Sequence, residues 1–172
     1  NHDVQVVVSS DFPTFLDWMP GRESVISYPE QPDLVKSIID QAEIIFCLDY
    51  SALSRTNILE PVLAAASGQK WMIDHHLDPE DFATLTYWDA NAAATAQLIY
   101  TFIADVMGSK EQIDADIATC LYTGIMTDTG SFRFRNTTSA VHHIIAHLID
   151  AGARNWEIHE KIYNSATERR LK

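Results

Sequence analysis

Asp74, His75 and His76 stand side by side in the stretch Gln69-Lys70-Trp71-Met72-Ile73-Asp74-His75-His76-Leu77-Asp78-Pro79. A carboxylate and two imidazoles can ligate a divalent cation, move protons, or do both. They follow a short apolar run, and Pro79 stops regular structure just beyond them. Such a run, ending in reactive polar groups, predicts a buried parallel strand that delivers them at its C-terminal end. Open α/β sheets place their sites there. The same pattern occurs upstream, where Glu43-Ile44-Ile45-Phe46-Cys47-Leu48 leads into Asp49. A third carboxylate, Asp128, closes the apolar segment from Ile113 to Thr127. A carboxylate at a helix C-terminus is disfavoured by the helix dipole, and a cation would offset that. Together these residues offer oxygen and imidazole ligands without thiolates. That mixture suits Mn²⁺, with Zn²⁺, Co²⁺ or Fe²⁺ possible and Mg²⁺ less favoured by imidazole. Two such ions about 3.5–4 Å apart can activate water and neutralise a phosphoryl group.

These residues need a scaffold, and the hydrophobic pattern predicts one. Val4–Val8 and Ser24–Tyr28 read as short strands, with a helical turn over Thr14–Met19 between them. Pro32 opens a helix through Gln41 with Leu34, Val35, Ile38 and Ile39 on one face. Glu43–Leu48 is a buried strand. A helix over about 57–67, capped by Ser51 or Ser54, ends at Gly68. Lys70–Ile73 is the next strand. This strand, helix, strand order is a βαβ unit, so Asp49 and Asp74 emerge on one edge of a parallel sheet. Thr84–Trp88 is a further strand. Helices follow at Ala92–Met107, Ile113–Thr127, Ala140–Ala151 and Trp156–Asn164, then a polar end from Ser165 to Lys172. The predicted fold is an α/β three-layer sandwich, a mostly parallel central sheet flanked by helices. Residues 1–152 read as the domain, and residues 153–172 as a helix and linker.

The chain has 172 residues with 47% hydrophobic and 21% charged, which suits one globular domain with a full core. No apolar run approaches the roughly 20 residues of a membrane span. Cys47 and Cys120 are isolated in apolar settings and read as reduced core residues, which leads to the expectation of a cytoplasmic protein. The net charge of −12 argues against a duplex-DNA-binding surface. It leaves room for a short anionic substrate, because acidic groups around divalent metals make a locally positive site. The chain begins at Asn1 without Met, so an incomplete chain is expected.

The motifs resemble those of the Asp-His-His (DHH) phosphoesterase family. The resemblance rests on Leu48-Asp49-Tyr50-Ser51 with Arg55, on Ile73-Asp74-His75-His76, and on Gly124-Ile125-Met126-Thr127-Asp128-Thr129-Gly130-Ser131-Phe132-Arg133. With Ser10-Asp11-Phe12-Pro13 and Trp18-Met19-Pro20-Gly21, it is most similar to the branch that degrades very short oligoribonucleotides and dephosphorylates 3′-phosphoadenosine 5′-phosphate. The resemblance implies metal ligands at Asp49, His75 and Asp128, with Asp49 bridging two Mn²⁺ ions. It implies a substrate-facing, catalytic His76 that contacts phosphate, with Asp74 orienting the histidines. Arg133 is a candidate phosphate contact, and Arg55 a structural partner near Asp49.

The family's first motif, a His with two Asp after an initial strand, is expected upstream of residue 1, and its glycine-rich substrate module after Lys172. The chain as written is therefore expected to bind metal weakly and to be inactive alone. The implied partners are short single-stranded RNA or a phosphorylated nucleotide, with a homodimer as one expected state. Activities sharing this chemistry are inorganic pyrophosphatase, single-strand exonuclease and cyclic-dinucleotide phosphodiesterase. A nucleotide-binding module without turnover is the alternative of a different class. His142-His143 and His147 form a second histidine group on a helix. No third ligand is evident there, and they read as helix-surface or core residues. Trp71, Trp88 and Trp156 read as packing residues.

Overall fold

A computed structural model describes residues 2–11 and 13–164. Phe12 and the polar end from Ser165 to Lys172 lie outside the described residues. The described residues divide into two compact units, one of residues 2–11 and 23–91, the other of residues 13–22 and 92–164.

The first unit holds every described strand. β1 (Val6–Val8) pairs in parallel with β2 (Val25–Ser27). A second sheet runs β3 (Ile44–Leu48), β4 (Gln69–Asp74), β5 (Leu85–Trp88), also entirely parallel. The β-branched and aromatic runs that predicted these strands suit a pleated, half-buried surface. With helices flanking parallel strands, the fold is of the three-layer α/β class. The strands form two hydrogen-bonded sets, where the pattern had suggested one sheet.

Register decides where the polar strand ends fall. Leu48 pairs with Ile73, and Asp74 with Trp88. Asp49 therefore leaves β3 beside the last residues of β4. Helix α1 spans Pro32–Gln41 with Pro in its first turn, and buries Val35 and Ile39. These pack with Leu59, Leu63 and Ala66 against Val7, Ile26 and Ile45 of the strands. On the other face of β3, Ile44, Phe46 and Leu48 are exposed at alternate positions.

The predicted helix over 57–67 is shorter than its pattern suggested. Leu53–Leu59 forms a 3₁₀ segment, broken at Asn57 with φ 52° and ψ −115°. Helix α2 then covers only Glu60–Ala65. Pro61 is the cause, since proline is accommodated only in the first turn. Neither Ser51 nor Ser54 caps it; Ala52 precedes the 3₁₀ segment without a side-chain bond. Gly68 is not the helix stop either, since Ala66 closes α2. Its role is close approach: a Cβ at Gly68 would run into the Ala42 carbonyl oxygen.

The second unit is helical. α3 (Thr95–Thr101) runs into a widened turn over Phe102–Val106. α4 (Ala115–Asp128), α5 (Ser139–Asp150) and α6 (Asn155–His159) follow. Their core contains Leu121, Tyr122, Ile125, Met126, Val141, Leu148 and Ile158. α3 starts later than predicted because Ala92–Ala94 are buried and Ala94 is extended. The Gln97 side chain reaches back to accept the Ala93 N–H at 2.7 Å, in the manner of a capping box. α4 begins at Ala115 because the Asp114 carboxylate accepts the N–H groups of Asp116 and Ile117.

On α5, the His147 ring meets the Tyr100 hydroxyl at 3.2 Å. Burial pushes its pKa below the ordinary value, and Lys110 adds to that against the opposing effect of Asp150.

Gly68→Ala is expected to destabilise the chain by about 1–3 kcal/mol, read as a lowered urea midpoint, because the obstructing atom belongs to the backbone. Because the folded chain favours neutral His147, the unfolded chain takes up the proton first. Stability should therefore decline as pH falls from about 7 to 5, and His147→Gln should flatten that decline in parallel urea titrations.

Candidate metal centre

Asp74 ends β4 with 0% exposure. A buried carboxylate is costly unless its oxygens are hydrogen-bonded. Here one oxygen meets His76 Nδ1 at 2.8 Å, and the other accepts the His76 backbone N–H at 3.2 Å. Aspartate commonly bonds the backbone two residues ahead, so the turn after β4 is locally encoded. An ionised carboxylate only accepts, so His76 donates to it through Nδ1–H, and Nε2 is the ring nitrogen that Asp74 does not engage. On the other side of the residue, the Trp88 indole N–H donates to the His76 carbonyl at 2.7 Å.

Asp49 faces these histidines from β3. Its N–H donates to Ile73 O at 3.1 Å, extending the β3–β4 ladder by one bond. Its φ of 67° is left-handed, a conformation that costs a non-glycine residue about 1–2 kcal/mol. The side chain, 55% exposed, places Oδ1 3.8 Å from His75 Nε2 and 4.0 Å from His76 Nδ1. The two imidazole rings lie edge to face at 4.9 Å. The loop after the histidines is tied back to the Asp49 segment. Glu80 N–H donates to Ser51 O at 2.8 Å, and Phe82 stacks on Tyr50.

Asp49, His75 and His76 offer one ligand atom each, all within 4.8 Å of one another. Two atoms bound to one ion at about 2.1 Å stand at most about 4.2 Å apart. The Asp49 Oδ1–His75 Nε2 pair fits this limit. His76 fits less well through Nδ1, since that nitrogen is engaged by Asp74; ligation there would break a buried charge-assisted bond. Its Nε2 is the atom left for chemistry. Nearby, burial pushes both the Cys47 thiol and the Tyr50 phenol above their ordinary pKa values, so neither is an ionised nucleophile at neutral pH.

Asp128 is the last residue of α4, in the second unit, and is exposed. Gly130, Ser131 and Phe132 after it all have positive φ, at 54°, 61° and 63°. Thr129, 0% exposed, holds this turn: its hydroxyl donates to Ile125 O and accepts the Phe132 N–H. Arg133 lies in the turn, exposed, with Nε donating to Gly130 O at 2.6 Å. Arg55 is exposed. The second histidine group is otherwise engaged, His143 with Ser139 O and His147 with Tyr100. Trp88, read from the sequence as packing, is instead bonded to the site. A signal existed: it ends the strand that follows the triplet, at the register position opposite Asp74.

Residues 5–125 match the DHH family, N-terminal domain. The chain is 35% identical over 153 residues to the bifunctional oligoribonuclease and PAP phosphatase NrnA of Thermus thermophilus, covering 89% of this chain and 43% of that protein. It is 29% identical to the Bacillus subtilis protein of the same description over 100 residues, 58% of this chain and 32% of that one. A solved structure, an exopolyphosphatase-related protein from Bacteroides fragilis, superposes with a TM-score of 0.93 at 38% identity, over 97% of this chain and 49% of that chain. The chain thus spans less than half the length of these relatives. A match over most of the chain, centred on strands that end in Asp49 and in the Asp-His-His triplet, establishes that this chain belongs to the DHH family.

Proposed function

We propose that the protein is a divalent-metal-dependent phosphoesterase acting on short oligoribonucleotides and 3′-phosphoadenosine 5′-phosphate. The observation that carries this reading is the convergence of Asp49, His75 and His76 at the ends of two adjacent parallel strands, with His76 held by a buried carboxylate. The descriptions of the relatives from Thermus thermophilus and Bacillus subtilis support the substrate class.

Asp49 and His75 would hold a cation, and Mn²⁺ suits their mixed oxygen and nitrogen donors. Asp128, which matches the family pattern, is proposed as a further carboxylate ligand. A cation of this kind supplies charge neutralisation at a phosphoryl group and lowers the pKa of water. His76 Nε2 is proposed to exchange a proton or hydrogen bond with a phosphate oxygen. Asp74 holds that residue through its ring Nδ1 and its backbone N–H, which fixes the direction of the ring. Arg133 is proposed to contact phosphate through the guanidinium nitrogens that its bond to Gly130 does not use. Cation binding would also offset the charge of −12 that otherwise repels an anionic substrate.

Mn²⁺ titrations followed by electron paramagnetic resonance should show Asp49→Ala and His75→Ala weakening binding about tenfold or more, and His76→Ala doing much less. Equal losses at His75 and His76 would mean that His76 is a ligand. The full-length polypeptide should release phosphate from 3′-phosphoadenosine 5′-phosphate and mononucleotides from di- to pentaribonucleotides, in a Mn²⁺-dependent manner. His76→Ala should lower kcat by about 10²–10⁴-fold. Tight metal binding with no turnover of these substrates would replace the enzyme reading with a nucleotide-binding module.

A further inference from the structure

We infer that Trp88 is a positioning residue for His76, acting through its indole N–H. This rests on the proposed role of His76 in phosphoester chemistry.

His76 is held at three points. Asp74 takes its ring Nδ1 and its backbone N–H. Trp88 takes its carbonyl, at 2.7 Å and across 12 residues of sequence. The first two bonds come from a residue two positions away in the same turn, and they leave the following peptide plane able to rotate. The Trp88 bond closes that freedom, because it ties the carbonyl side of His76 to β5. β5 is itself rigidly placed: Asp74 and Trp88 are register partners, and Asp89 N–H donates to Asp74 O at 3.3 Å just beyond them. One strand therefore supplies the residue that orients the imidazole, and its neighbour supplies the residue that anchors the backbone behind it.

Trp88 is 40% exposed, high for a tryptophan whose value lies in packing alone. Phenylalanine would fill the same apolar space, and tyrosine could not place a donor at the same point. The polar handle of the indole is what this position uses. Among the described residues the strand-end turn carries no other tie between β5 and the His76 carbonyl, so losing the N–H removes the anchor on that side and leaves the ring to Asp74 and its packing on His75. Displacement of a reacting group by about 1 Å can cost 10²-fold in rate, and removal of an orienting partner commonly costs 10–100-fold.

The test compares Trp88→Phe with a replacement of Trp88 by β-(3-benzothienyl)alanine, which keeps the ring shape and lacks only the N–H. In the full-length polypeptide with Mn²⁺ and a diribonucleotide, both changes should lower kcat about tenfold or more, with KM and Mn²⁺ affinity within about twofold. Nitrogen-15 spectra of the histidine rings should show one Nδ1–H tautomer for His76 in the parent protein and broadened or averaged signals in both variants. Unchanged kcat together with unchanged ring signals overturns the inference. So does a loss confined to Mn²⁺ affinity. If the parent protein has no turnover but the ring signals still respond to loss of the N–H, the phosphoesterase reading falls and the positioning role stands.

Discussion

The carboxylate of Asp74 is withdrawn completely from water, and the architecture of the site follows from that one fact. An ionised carboxylate in a protein interior is tolerated only when its oxygens are hydrogen-bonded. His76 supplies a donor to each oxygen of Asp74. The same bonds that make the burial possible also set the imidazole tautomer and its direction. A charge-assisted bond of this kind contributes about 1.5–3 kcal/mol and is strengthened by its low-dielectric surroundings. Structural need and chemical preparation are met by the same two contacts.

Asp49 is the counterpart that spends conformational energy instead of desolvation energy. Its left-handed backbone is held by a ladder bond to Ile73 and by the packing of Tyr50 on Phe82. Strain of this sort persists only where neighbouring structure over-determines it. Its result is a carboxylate oxygen directed at His75 from the adjacent strand. The two strategies are complementary. Asp74 stays dry and orients a histidine, while Asp49 stays accessible and can share a cation with one.

The helical unit follows a similar principle around Asp128. The buried Thr129 side chain bonds the end of α4 and the turn beyond it, which allows Ser131 and Phe132 to hold positive φ. Phe132 packs edge-to-face on Tyr122 of α4. A carboxylate at the negative end of a helix is thus presented from a backbone that has little freedom to move.

Much of this was legible in the order of residues. Apolar, β-branched runs ending in Asp49 and Asp74 marked the ends of parallel strands, although the burial expected on both faces of β3 is met on one face only, since Ile44, Phe46 and Leu48 are exposed. Pro32 and the spacing of Val35 and Ile39 marked α1, because helical periodicity and first-turn proline are local properties. The triplet itself pointed to metal and phosphate chemistry. Other features were not legible, because they depend on what the chain meets in space. Asn57 and Pro61 shortened α2, and Gly68 proved to be a point of backbone contact. The family resemblance implied different roles for His75 and His76, but the atoms behind that difference lay beyond the pattern, since His75 approaches Asp49 through Nε2 while His76 meets Asp74 through Nδ1. By itself the sequence determined which residues stand at strand ends. Only the tertiary structure, through parallel register and long-range bonds such as that from Trp88, decided which atoms of those residues are committed and which are left to react.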